Sequence, residues 1–213
     1  MAKEIDIFQI DAFTTKAFKG NPAGVTFSNV LSENEKQLIA KEMNLSETAF
    51  ISTSNKADYK LQWFTPTKEV KLCGHATIAS LHYLFEKGLI TENQNITFET
   101  LSGIINCSVE NGKYFMQIPV PQLNEFTGCK EEILSALGID RIYVSDLPFI
   151  ILDNGYLFIY VNSIKALWDL KPDFKVLNDL SRVKKEFFDI AVFTTETIEK
   201  DSAAHLRFFA PYD

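Results

Sequence analysis

The sequence predicts an α+β protein built as two similar domains, each a mixed β-sheet wrapped around a central helix, with the second domain incomplete. Three observations predict it. From Ala76 to Phe85 the residues are apolar or small almost all the way round, and a helix of that kind is enclosed by other structure rather than laid on a surface. A helix followed by two strands in the first half recurs in the same order in the second half. The chain reaches its last residue, Asp213, two residues after Pro211, where a second central helix would be due.

Composition narrows the function classes. The 213 residues are 46% hydrophobic and 13% aromatic, enough to pack one large or two small cores. A formal charge of -7 argues against nucleic acid and anionic membrane as partners, because both need a basic face. No apolar run approaches the roughly 18 to 20 residues needed to cross a bilayer, and Met1 to Asp6 lacks the apolar centre of a signal peptide, so a cytoplasmic protein is expected. Cys73, Cys107 and Cys129 are odd in number and lack a C-x-x-C spacing. Free thiols are expected, and neither a disulfide framework nor a metal site is indicated.

The first strand reads from Glu4 to Phe13, with an imperfect period of two that suggests a shift or bulge. Gly20 to Gly24 reads as a turn, and Val25 to Phe27 resumes extended structure. Ser32 followed three residues on by Glu35 has the form of a capping box, opening an amphipathic helix with Leu38, Ile39 and Met43 on its buried side, which Asn44 ends. Thr48 to Ser52 and Tyr59 to Phe64 are strands, the second running into Phe64-Thr-Pro66. After the central helix Lys87-Gly88 is a stop, and strands follow at Asn95 to Glu99, Gly103 to Glu110 and Lys113 to Ile118, the last two joined by an Asn111-Gly112 hairpin turn.

Pro119 to Lys130 reads as a linker, which bounds the domains at 1–118 and 119–213. Beyond it come a helix from Glu131 to Leu137, strands near Arg141 to Ser145, Pro148 to Leu152 and Tyr156 to Val161, and a helix from Asp173 to Lys185. Strands at Asp189 to Thr195 and His205 to Ala210 complete the chain. The echo pairs Phe64-Thr-Pro66 with Phe209-Ala-Pro211, at an offset of 145 between the prolines and 142 between Ala49 and Ala191. A sheet without its central helix leaves its apolar inner face uncovered, so a shortened chain or a partner that fills the gap is expected.

Chemistry is expected where the Tyr59 to Phe64 strand gives way to the central helix. The first turn of that helix presents N–H groups without intrahelical partners, which favours an anionic group in front of Gly74 and His75. Glycine lets a ligand approach the backbone, and histidine holds or releases a proton near neutral pH. Cys73 would have a lowered thiol pKa if it faces the same helix end, although a cysteine is more often a small buried hydrophobe. Glu47 stands at the mouth of the apolar run Thr48 to Ile51. A carboxylate there is costly unless paired or protonated part of the time, a property that suits proton transfer; a solvent-facing carboxylate is the commoner alternative.

With Asn21-Pro-Ala, Met43-Asn-Leu-Ser-Glu-Thr-Ala-Phe50, Trp63-Phe-Thr-Pro66 and Cys73-Gly-His-Ala-Thr77 in view, the chain resembles the PhzF family of phenazine-biosynthesis-like isomerases and epimerases. The resemblance implies a diaminopimelate epimerase-like fold, two strongly bent mixed sheets each around a central helix, with the active site in the cleft between the domains. It implies Glu47 as general acid/base and Gly74 and His75 as the turn that contacts the carboxylate and reacting region of a small-molecule substrate. The best-known member isomerises a dihydro-hydroxyanthranilate by moving a proton, without metal or organic cofactor. The family's Gly-Ile-x-Glu-Asp-Pro-x-x-Gly-Ser-Ala segment is not present after Phe209-Ala-Pro211, and Asp213 is not its aspartate.

The expected function is therefore cofactor-independent isomerisation or epimerisation of a small carboxylate, with Glu47 and His75 catalytic, Gly74, His75 and Cys73 binding substrate, no metal, and a homodimer as the assembly. The alternative is a catalytically incomplete remnant that binds small acids or associates with itself. A cysteine-racemase reading centred on Cys73 is weaker, because neither Cys107 nor Cys129 occupies the echoed position. His82, His205, Trp63 and Trp168 read as structural residues, and Asp11 and Asn21, near the first turn, either line the cleft or hydrogen-bond at a strand end.

Overall fold

The computed structural model describes residues 4–118, 120–144, 146–200 and 202–211. The chain divides into two units, Met1–Pro119 and Val120–Asp213.

In the first unit β1 (Phe8–Ala12) and β2 (Asn21–Phe27) pair antiparallel, α1 (Glu33–Met43) crosses over, and β3 (Thr48–Thr53) returns parallel to β2. β4 (Tyr59–Phe64) runs antiparallel to β3, the short β5 (Glu69–Val70) pairs with the end of β4, and α2 (Gly74–Glu86) follows. β6 (Asn95–Thr100), β7 (Gly103–Glu110) and β8 (Lys113–Met116) extend the sheet to the order β1-β2-β3-β4-β6-β7-β8. β1 and β8 lie at opposite ends of that order, yet both touch α2, as do β2 and β3. Only a sheet curled around the helix allows this.

Strand alternation explains the two layers of core. Ala49, Ile51, Leu61 and Trp63 point to the side of α2, where Ala76, Leu81 and Leu84 are buried. Phe50 and Phe64 point the other way, onto Ala40 of α1, and their rings meet edge to face at 5.5 Å. Burying Leu81 and Leu84 stabilises the unit by about 1.5–3 kcal/mol each. The Ser32 hydroxyl accepts from the Glu35 N–H while the Glu35 carboxylate accepts from the Ser32 N–H, the reciprocal box read from the sequence. Asn44 closes α1 in the left-handed region at φ 51°. Asn111 and Gly112, at φ 53° and 70°, make the hairpin turn between β7 and β8.

Two local expectations differ. The β1–β2 ladder runs in unbroken register from Phe8↔Val25 to Ala12↔Asn21, so there is no bulge. Asn21 to Gly24 belongs to β2 rather than to a turn; the reversal comes earlier, between Phe13 and Gly20. Phe13 and Phe18 take left-handed φ of 61° and 63° there, and the Asp11 carboxylate accepts from the Phe18 N–H at 2.8 Å. A Cβ at Gly20 would meet the Ala12 carbonyl at 2.4 Å, so the turn requires glycine.

The second unit holds β9 (Leu123–Glu125), α3 (Lys130–Leu137), β10 (Ile150–Leu152), β11 (Leu157–Tyr160), α4 (Ile164–Trp168), α5 (Phe174–Arg182), β12 (Ile190–Thr194) and β13 (His205–Phe209). Its sheet has the order β13-β12-β11-β10-β9. Leu157, Ile159, Ile190, Val192 and Phe209 pack with Ile133, Leu137, Leu167, Leu177 and Leu180 of the helices. The expected linker contains β9, and the expected strand at Arg141 to Ser145 is a 3-10 turn at Arg141–Tyr143 capped by the Asp140 carboxylate, with Ser145 outside the described residues. α5 is shorter than Asp173 to Lys185 because Asp173 caps it by accepting from the Lys175 and Val176 N–H groups, and Lys185 is left-handed.

The repeat runs deeper than the sequence suggests. β10-β11-β12-β13 pair antiparallel, parallel and antiparallel in turn, as β1-β2-β3-β4 do. Thr48 pairs with Phe64 and Ile190 with Phe209, the same register at offsets of 142 and 145. The sheet face that corresponds to the α2-bearing face of the first unit carries Phe158, Tyr160, Phe193, Leu206 and Phe208, of which Leu206 and Phe208 are 51% and 48% exposed.

Candidate active site

Glu47 is the last residue before β3, and its main chain is fixed from the side: the Gly24 N–H of β2 donates to its carbonyl at 3.2 Å. Alternation along the strand sends its side chain with Ala49 and Ile51, towards α2. α2 begins with Cys73 as N-cap, extended at φ -145°, with no side-chain cap hydrogen bond and no acidic residue in the first turn. No acidic residue of α2 itself therefore offsets the positive end of its dipole. Gly74 is exposed, and a Cβ there would meet nothing within 4 Å, so the space before the helix is open and glycine is not demanded by the protein's own packing.

His75 joins the two elements. Its Nε2 lies 3.5 Å from Glu47 Oε2 and 3.5 Å from Ser46 Oγ, and its Nδ1 lies 3.4 Å from Cys73 Sγ. The side chains of His75 and Glu47 are 10% and 21% exposed. Burial lowers the His75 pKa, opposed by the charge of Glu47 and by the Pro22 carbonyl, so the ring leans to the neutral form. The contacts are longer than the 2.7–3.2 Å of a tight hydrogen bond, as is common before a substrate draws such groups together.

Cys73 departs from expectation. Burial first, and then the negative charge of Glu47, push its thiol up to about 12, where the helix end alone would have lowered it. The thiol is held protonated and does not serve as a ready nucleophile.

The structure therefore brings Glu47, Cys73, Gly74 and His75 to one place. It adds Ser46 and the Pro22 carbonyl, which the sequence analysis left without a role although both belong to motifs it quoted. Asp11, by contrast, lines a hollow of about 610 Å³ with Phe13, Phe18, Ile78, His82 and Tyr114. His82 Nδ1 is 2.8 Å from the Tyr114 hydroxyl, and His205 Nε2 accepts from the Ile198 N–H, both partnered structural histidines. Trp63 is fully buried, whereas Trp168 is 57% exposed rather than part of a core, since it ends the five-residue α4.

Comparison with known proteins shows the family. The family described as "Phenazine biosynthesis-like protein" (PhzC-PhzF) matches residues 10–213. "Uncharacterized isomerase YfhB" of Bacillus subtilis is 37% identical over 223 residues, which cover 99% of this chain and 74% of the relative. The crystal structure of the Bacillus anthracis phenazine biosynthesis protein of the PhzF family superposes with a TM-score of 0.87 at 32% identity, over 98% of this chain and 73% of that one. A predicted epimerase from Pseudomonas aeruginosa, at 16% identity and a TM-score of 0.68 over 89% of this chain and 70% of that one, shares the fold. With a curled sheet around an enclosed helix and a family match from Ile10 to the last residue, the chain belongs to the phenazine biosynthesis-like, PhzC-PhzF family.

Proposed function

We propose that this chain is an isomerase or epimerase of a small carboxylate-bearing metabolite, working by proton transfer through Glu47 without a cofactor. The observation that carries the reading is the Glu47 carboxylate held 3.5 Å from His75 at the open end of α2. In this reading the substrate carboxylate is received at the open start of α2, by the Gly74 N–H and the helix dipole, and Glu47 removes a proton from the carbon beside an unsaturated or carboxylate-bearing centre. A neutral His75 and the Gly74 N–H stabilise the charge that develops, and Glu47 returns the proton at the new position. Cys73 lines the site as a protonated thiol. That relatives such as the Bacillus subtilis protein are named as uncharacterized isomerases supports the reaction class, and a cytoplasmic homodimer is part of the same reading.

Among the described residues no helix is long and apolar enough to cross a membrane. The test uses deuterium oxide and dihydro-hydroxyanthranilate, with other small unsaturated and amino carboxylates as further probes, followed by NMR. Incorporation of deuterium by the wild type, and its loss in Glu47→Gln, is expected. Incorporation that survives in Glu47→Gln removes Glu47 from the mechanism, and binding without incorporation by the wild type favours a protein that only holds small acids.

A further inference from the structure

The two ring nitrogens of His75 face different chemistry. Nε2 lies 3.5 Å from Glu47 Oε2 and 3.5 Å from Ser46 Oγ. The Pro22 carbonyl, which also draws a proton onto the ring, stands two residues before Gly24 as Ser46 stands two before Thr48, and Gly24 and Thr48 are partners in the β2–β3 ladder. An ionised carboxylate and a carbonyl only accept. Nδ1 instead faces Cys73 Sγ at 3.4 Å, and that thiol keeps its proton because it is buried beside the charge of Glu47. A neutral imidazole has one N–H and one lone pair, and its partners decide which nitrogen carries which. We propose that Cys73 is a positioning residue for the proton transfer proposed above: its S–H donates to Nδ1 of His75, so that the ring proton sits on Nε2 towards Glu47 and the ring stays neutral.

The side chain of His75 is only 10% exposed, so little water reaches it to take the place of a lost partner. With Nδ1 engaged by the thiol, a second ring proton has to displace that bond. The start of the α2 dipole opposes the same proton, while the Glu47 carboxylate and the Pro22 carbonyl favour it. Without the S–H the balance tips towards a charged ring, and an imidazolium paired with Glu47 lowers the basicity that Glu47 needs. Glu47 also attracts the thiol proton, but the Nε2–H is the stronger donor to it.

Nitrogen-15 NMR of the full chain with labelled histidine tests this without substrate, since unprotonated and protonated ring nitrogens resonate far apart. The chain has three histidines, and His75→Gln identifies the signals of His75. In the wild type at neutral pH a lone pair on Nδ1 and a proton on Nε2 are expected. Cys73→Ala is expected to move the midpoint of His75 titration upward, and Cys73→Ser, whose hydroxyl can donate, to bring it back towards the wild type. Deuterium incorporation at neutral pH is expected to fall about two- to tenfold in Cys73→Ala, the worth of one hydrogen bond, and to recover as the pH is raised. Cys107→Ser is expected to leave the ring signals unchanged. A proton on Nδ1 in the wild type, an unmoved midpoint in Cys73→Ala, or a Cys73→Ser that behaves as Cys73→Ala overturns the proposal. Any of these leaves Glu47 as the proton carrier, whereas a wild type that incorporates no deuterium bears on that reading and leaves the ring signals to decide this one.

Discussion

Glu47 and His75 meet at 3.5 Å because two independent devices converge: a parallel strand bond from Gly24 that fixes the entry to β3, and a helix that begins at Gly74 inside the curl of the sheet. Neither residue reaches the other through local sequence. The pair is a product of the fold.

If Glu47 carries the proton, Glu47→Gln, which keeps shape and removes basicity, lowers deuterium incorporation by about 100- to 10,000-fold. Thermal unfolding of the variant stays close to wild type. A loss of activity that tracks a loss of structure would count against a chemical role.

The lowered pKa of His75 fixes a sign for pH dependence. Above the ordinary value of 6.5 the ring is neutral in both folded and unfolded chains and adds nothing; as pH falls through that value the unfolded chain takes up the proton first, and stability drops. Urea unfolding at a series of pH values from 8 to 5 is expected to show a smaller decline in His75→Gln than in wild type. Equal declines would show that the ring is not held neutral by burial.

Thiol reactivity follows burial. Cys73 and Cys107 are buried with pKa values raised to about 12, while Cys129 is half-buried. Alkylation at pH 8 with peptide mapping should therefore label Cys129 first and leave the other two until guanidinium is added. Rapid labelling of native Cys73 would falsify the account of a suppressed thiol.

The enclosed helix makes a stability prediction. Leu84→Ala is expected to cost about 2–5 kcal/mol in urea unfolding, because Leu84 is fully buried on α2. Leu38, expected on the buried side of α1, is 53% exposed because Ile39 and Ala40 take the face against Phe50 and Phe64, so Leu38→Ala is expected to change stability by no more than about 0.5 kcal/mol.

Much of this was readable from residues alone where one physical pattern dominated. α2 announces itself by being apolar on every side, α1 by its capping box, and the β7–β8 hairpin by Asn111-Gly112. β9 escaped because all three of its residues are exposed, which leaves an edge strand without alternation. β5 has two residues and no period at all. Pro22 suggested a turn, yet it sits in β2 opposite Asp11, where the end of the ladder tolerates a missing N–H. The Cys73 thiol could not be read correctly from its place at a helix start, because the deciding influences, burial and the charge of Glu47, come from the fold.

The anchoring of Glu47 by its carbonyl has a wider meaning. Asp189 stands at the matching place in the repeat, where its own carbonyl accepts from the Leu157 N–H at 2.8 Å. In both halves a main-chain bond from the neighbouring strand helps to set the strand entry. Because that bond uses main-chain atoms only, a substitution at Glu47 or Asp189 leaves the strand entry available in either half.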